Sequence, residues 1–170
     1  MEKVKMCSFL GHRSIVATTE VKTRLREIIK YLIEEQGIQY FLFGSASEFD
    51  ELCLRTLSEL KALYPKIVRV YVRANERYLT EERKQELLKI YDDTIMPPDV
   101  ENAGRASYVK RNQAMIDASA YCIFYYNANY QLVSKKSGTK IAFDYAKQRK
   151  RNGKDITIIN LYEAGNEENN

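Results

Sequence analysis

Tryptophan is absent from this chain and histidine occurs once, as His12. A single histidine argues against a histidine-centred metal site, and no metal site is readable elsewhere. No Ser-His-Asp triad can be read, and no Cys-His pair can be placed. Cysteine is scarce too: Cys7, Cys53 and Cys122 each lie in an apolar pattern, without metal-type spacing. An odd count of that kind reads as reduced, buried thiols, as in a cytoplasmic protein. Long apolar runs are missing. No stretch approaches the length of a membrane span, and residues 1–5 lack the apolar region of a signal peptide. The expectation is therefore a cytoplasmic protein with no membrane partner. Charge of one sign is also lacking: 27 Lys and Arg stand against 23 Asp and Glu, a net +4. That balance suits phosphate-bearing ligands but gives no strong nucleic-acid signal. There are no internal repeats, and no cofactor is called for.

What is present is one domain's worth of core. The chain has 170 residues, 45% of them hydrophobic. Residues 4–10 are mostly apolar and end at Gly11, which predicts a buried strand. A helix follows, capped by Thr18 or Thr19, with Val21, Leu25, Ile28, Ile29 and Leu32 in one stripe; Gly37 ends it. A strand over 38–43 leads to Gly44-Ser45. The next helix is capped by Ser45 or Ser47, with Glu48 completing a capping box to Ser45, and it stops before Pro65. A strand over 67–72, a loop over 73–78 and a polar helix over about 80–90 follow, then a short strand at 94–96. Residues 99–106 read as a loop, and Ser107 as the cap of a helix. A strand over 121–126, a polar loop over 127–136, a helix over 137–151 and a last strand over 156–161 complete the domain at 1–163. The polar stretch 164–170 reads as a disordered tail.

Strands alternating with helices imply crossover connections, hence an α/β, three-layer, Rossmann-like domain with a mainly parallel sheet. Ligands of such sheets bind at the carboxyl ends of the strands. Gly11-His12-Arg13, Gly44-Ser45, Arg73, Asn127 and Ser137-Gly138-Thr139 all follow strands. Ser137-Gly138-Thr139 opens a helix with a glycine and two hydroxyls, a pattern that can cradle phosphate or simply cap the helix. Tyr108, Arg111, Asn112 and Met115 share a helical face. Met115 suits a core, whereas Arg111 and Asn112 need a polar partner there or a solvated surface. Arginine can grip phosphate or carboxylate in two places at once, and asparagine can bind a base or a ribose hydroxyl. Glu48 and Asp50 could hold ribose hydroxyls or merely complement a helix dipole. Arg13 is a further phosphate candidate. His12 could act as an acid or base, but reads more simply as a hydrogen-bond donor to ligand or backbone.

Gly-His-Arg, Gly-Ser-Ala-Ser-Glu-Phe-Asp, Tyr-x-x-Arg-Asn-x-x-Met and Ser-Gly-Thr occur in that order between residues 4 and 161. The combination resembles the SLOG superfamily, and within it the YpsA-like and prophage YoqJ-like proteins. The resemblance implies a Rossmann-like fold related to the LOG phosphoribohydrolases and to the nucleotide-binding domain of DprA. It also implies a nucleotide or nucleotide-derived small-molecule ligand. Related folds often dimerise, so a homo-oligomer is also in view. Arg111-Asn112-x-x-Met115 stands where LOG enzymes have Arg-Lys-x-x-Met, whose arginine is catalytic. Ser137-Gly138-Thr139 stands where they have Pro-Gly-Gly-x-Gly-Thr-x-x-Glu, and Ala142 takes the place of the terminal glutamate. Asp144 lies about 200° further around an ideal helix and is a poor substitute. Three readings stay open: a ligand-binding sensor or sequestering domain, a nucleotide or nucleoside N-glycosidase using Glu48 or Asp50 with Arg111, and an interaction module whose pocket is vestigial.

Overall fold

The computed structural model describes residues 3–75, 79–130 and 137–162. The expected tail, and parts of the expected loops at 73–78 and 127–136, lie outside the described residues. The elements are β1 (Met6–Gly11), α1 (Thr19–Glu34), β2 (Tyr40–Phe43), α2 (Glu48–Lys61), β3 (Val68–Val72) and α3 (Glu81–Leu88). They continue as β4 (Asp93–Ile95), α4 (Pro98–Glu101), α5 (Ser107–Ala118), β5 (Tyr121–Tyr125), α6 (Gly138–Arg151) and β6 (Thr157–Asn160).

Among the described residues the strands form one six-stranded sheet in the order β4-β3-β2-β1-β5-β6, every pair parallel. The Rossmann-like α/β fold is thus established. The chain winds outward from β1 to β4, then crosses back to place β5 on the other side of β1. The order therefore reverses at β1, and that reversal opens a crevice at the carboxyl ends of β2, β1 and β5.

Side chains alternate across the sheet. Cys7, Phe9, Phe41, Phe43, Ile123 and Tyr125 face α1, α2 and α3, where they meet Leu25, Ile29, Phe49 and Leu57. Leu10, Cys122 and Phe124 face the opposite way, against Ile116 of α5 and Ala142 and Ala146 of α6. Leu42, Val70 and Val72 on that side receive Met115. This is a three-layer arrangement. The one polar side chain of β1 on the α5 side, Ser8, is buried but paired. It shares a 2.7 Å hydrogen bond with the Ser119 hydroxyl, and its hydroxyl lies 3.1 Å from the Met115 carbonyl. All three cysteines are free and buried, and burial pushes their thiols up, that of Cys122 to about 12.

Helix ends follow the side-chain chemistry. Thr18, Ser47, Thr80 and Ser137 each accept the backbone N–H three residues on, at 3.0–3.2 Å; such caps are worth about 1 kcal/mol each. Ser47, not Ser45, caps α2, so the expected capping box from Ser45 to Glu48 does not form. Ser107 is not a cap either. A 3-10 turn over Gly104–Ala106 already winds the chain, and Ser107 enters α5 with helical dihedrals of −58° and −41°. Without the extended backbone of a cap, its hydroxyl bonds to the side chain of Asn75 instead. That turn and α4 also replace the loop expected at 99–106. Pro97-Pro98 and Gly104 suggest a break, but proline is well tolerated in a helix's first turn.

Candidate functional site

The crevice at the sheet reversal is a cavity of about 680 Å³. The end of β1 contributes Gly11, His12 and Arg13. The turn after β2 contributes Gly44, Ser45, Ala46 and Ser47, followed by Asp50 from α2. Helix α5 supplies Tyr108, Arg111, Asn112 and Met115; α6 supplies Ser137, Gly138 and Thr139; Tyr71 and Tyr130 complete the wall. All the residues expected at the site except Glu48 meet around this one space. A second hollow of about 790 Å³ lies at the amino ends of the strands, between residues such as Lys5, Gly37 and Lys154. It gathers none of the motif residues.

Arg111 is the unusual group. It is 6% exposed, yet among the described residues no ion pair joins it to a carboxylate. Its Nε and Nη2 both donate to Asn112 Oδ1, at 3.3 and 3.2 Å, and its guanidinium lies 5.3 Å from the centre of the Tyr108 ring. Burial lowers its proton affinity, and the nearby Tyr71, Asp50 and Tyr108 partly restore it. A buried cation held by one amide oxygen and a ring face is undercompensated, which favours an incoming anion.

The start of α6 faces the same space. Ser137 spends its hydroxyl acceptor on the Lys140 N–H, so the capping reading of this residue holds. The Ile141 N–H donates to the Ser137 carbonyl at 3.1 Å. The Gly138 and Thr139 N–H groups have no partner among the described residues, the condition that makes a helix start attract anions. A Cβ built at Gly138 would meet nothing among the described residues within 4 Å, so none of them blocks the approach. The start of α2 differs, because the chain itself closes it. Asp50 Oδ2 accepts the Ser45 N–H at 2.9 Å and the Ser45 hydroxyl at 3.0 Å. The Glu48 N–H donates to the Arg13 carbonyl at 2.9 Å. The open anion-attracting end is that of α6.

The acids separate cleanly. Glu48 turns away, and its Oε2 accepts the Ile15 N–H at 2.9 Å, tying the loop after β1 to α2. This corrects its expected place in the ligand site. Asp50 is 3% exposed; its Oδ1 is closed to solvent and has no hydrogen-bond partner among the described residues. Burial drives its carboxyl up to about 6, against the pull of the Ser45 hydrogen bonds and the Arg111 charge. Ala142 is sealed in the core against Leu10 and Phe124, and Asp144 pairs on the surface with Lys140 at 2.8 Å. Neither position brings an acid to the cavity.

The glycines serve packing as much as access. A Cβ at Gly44 would lie 2.6 Å from Arg111 Nε, so this glycine makes room for the arginine. A Cβ at Gly11 would lie 2.3 Å from the Phe49 ring. His12 Nε2 accepts the Asn127 N–H at 2.9 Å, so its donor is Nδ1, which has no partner among the described residues. Tyr71 is a wall residue that motif reading missed, because it lies in a strand whose alternation gives no hint of ligand contact. Tyr130, in a polar loop, belongs to the tyrosines at 121, 125, 126 and 130 whose number in the sequence could suggest base stacking.

A family model described as the YspA SLOG family (YpsA) matches residues 6–164, nearly the whole chain. No curated protein matches it.

Proposed function

The chain belongs to the YspA SLOG family, and we propose that its cavity binds a nucleotide or nucleotide-derived small molecule, as a sensor or sequestering domain. The observation that carries this reading is the pairing of Arg111, a buried cation with no ion pair among the described residues, with the start of α6 across one cavity. Arg111 would grip phosphate through charge-assisted hydrogen bonds, while the Gly138 and Thr139 N–H groups would take further phosphate oxygens. Arg13, exposed at the rim, adds long-range attraction. Asn112 keeps its amide N–H groups available for a base or ribose. Binding is favoured over cleavage because Ala142, where the LOG pattern has its hydrolytic glutamate, is a sealed core residue.

Isothermal titration calorimetry with nucleoside monophosphates, NAD and ADP-ribose tests this. At least one compound is expected to bind, and Arg111→Ala should weaken it roughly 10- to 100-fold, the loss of a charge-assisted hydrogen bond. No binding by any of them, or full affinity in Arg111→Ala, would overturn the reading.

Asp50 supports a second reading, an N-glycosidase. It is a buried acid in the cavity wall that holds its proton up to about pH 6. Release of free base from the same compounds, abolished by Asp50→Asn, would establish the enzyme. Binding without release sustains the sensor.

A further inference from the structure

His12 is 2% exposed and stands just past the end of β1. Because its Nε2 accepts the Asn127 N–H, the proton of the neutral ring resides on Nδ1. The segment it holds closes on itself. The Tyr130 N–H donates to the Asn127 carbonyl at 3.0 Å, and the Asn129 N–H donates to Asn127 Oδ1 at 2.9 Å. This turn lays the Tyr130 ring flat on the imidazole, with centroids 3.9 Å apart and planes 10° apart. Tyr126, tilted at 5.9 Å, and Tyr125, edge-on at 6.4 Å, complete the aromatic surroundings of His12.

His12 and Tyr130 both line the cavity. Burial lowers the imidazole to about 4, so near neutral pH the stack is flat and uncharged. An uncharged π surface does little for an anion and suits a planar ring. Of the other wall tyrosines, Tyr108 is 54% exposed and already has the Arg111 guanidinium over its ring, and Tyr71 packs its ring against Tyr91, with centroids 5.1 Å apart. We infer that the His12–Tyr130 stack is the wall on which a planar aromatic part of the ligand packs, and that His12 is the positioning residue that seats Tyr130 through the Asn127 turn. This rests on the reading of the cavity as a phosphate-ligand site, and it gives the uncharged end of that ligand its place.

AMP and ribose 5-phosphate share the phosphate and sugar and differ by the base, so titrating both by calorimetry separates the two claims. The intact chain should bind AMP roughly tenfold more tightly than ribose 5-phosphate, the size of one base–aromatic stack. Tyr130→Phe should keep that preference. Tyr130→Ala should bring the two affinities to within about twofold by weakening AMP alone. His12→Ala should do the same, and His12→Gln, which keeps an acceptor for the Asn127 N–H, should recover part of the preference. The wall is overturned if ribose 5-phosphate binds as tightly as AMP. It is overturned equally if Tyr130→Ala weakens both alike, or if Tyr108→Ala removes the preference while Tyr130→Ala keeps it. Binding of neither compound overturns the wall; the phosphate reading itself is overturned only when the other nucleoside monophosphates, NAD and ADP-ribose fail to bind as well.

Discussion

Replacing Gly44 by alanine probes how the cavity holds its arginine. The new Cβ would sit 2.6 Å from Arg111 Nε and 2.8 Å from Met115 Sδ. Ordinary contact begins at 3.4 Å, so the overlap with Arg111 is 0.8 Å (3.4 minus 2.6). Gly44 is not among the positive-φ glycines, so the backbone accepts alanine and the conflict is one of space. Either Arg111 leaves its bonds to Asn112 or the turn after β2 shifts. Overpacking of this kind destabilises by about 1–3 kcal/mol. Urea unfolding of Gly44→Ala should show that loss, and nucleotide affinity should fall with it. In an Arg111→Ala background the penalty should shrink by at least about 0.5 kcal/mol, since contacting residues couple. The remaining crowding would fall on Met115, whose flexible thioether adapts. Equal penalties in both backgrounds would refute the claim that Gly44 exists to admit Arg111.

Three further outcomes follow from the acids. The folded-state affinity of Asp50 for its proton is raised to about 6 from 3.8, so stability is fully present below pH 4 and is lost as pH rises to about 6. Asp50→Asn should therefore raise urea-unfolding stability at pH 7.5 by about 1–3 kcal/mol and do much less at pH 4; a gain independent of pH would contradict this. Glu48→Ala should leave ligand affinity in calorimetry unchanged and lower stability by about 1 kcal/mol, because its carboxylate accepts the Ile15 N–H outside the cavity; a large affinity loss would return Glu48 to the site. Burial alone would raise the Asp92 carboxyl, but its bonds to Arg69 and Lys61, at 2.7–3.2 Å, hold it well below the usual carboxylate range. Asp92→Asn should thus cost about 1 kcal/mol at pH 7, a value already reduced for solvent screening, with the difference beginning to shrink below pH 4 and disappearing only as the pH falls through the lowered folded-state value. A loss that stays constant from pH 7 down to the acid unfolding of the chain would exclude the charge as its origin.

Much of the fold is legible because its signals are local. Phe9 and Leu10, or Phe41 and Leu42, are adjacent apolar residues that fit a strand buried on both faces, and Thr18, one of the two caps the sequence offers, caps α1. The misses arise where distant residues decide. Ser45 and Ser47 are equivalent caps until Asp50 takes the hydroxyl of Ser45, and Glu48 faces away because the Ile15 N–H, 33 residues distant, lies within its reach. Likewise the sequence places Gly44 only at the ligand edge, and its packing role emerges when Arg111, from a helix far along the chain, is found in the space it leaves. Convergence of the motif loops is legible from topology alone, since sheet order brings the ends of β1, β2 and β5 together. The burial of Asp50 and the stacking of Tyr130 on His12 are not, because both depend on how separate loops settle against one another.

The central claim is that the cavity holds a phosphate between Arg111 and the start of α6. It is tested most directly by titrating AMP into the nitrogen-15-labelled chain and following its N–H signals by NMR. The largest shifts are predicted at the Gly138 and Thr139 backbone N–H groups and at the Arg111 side-chain N–H. Shifts concentrated instead around Lys5 and Gly37 at the amino ends of the strands, or none at all, would contradict it.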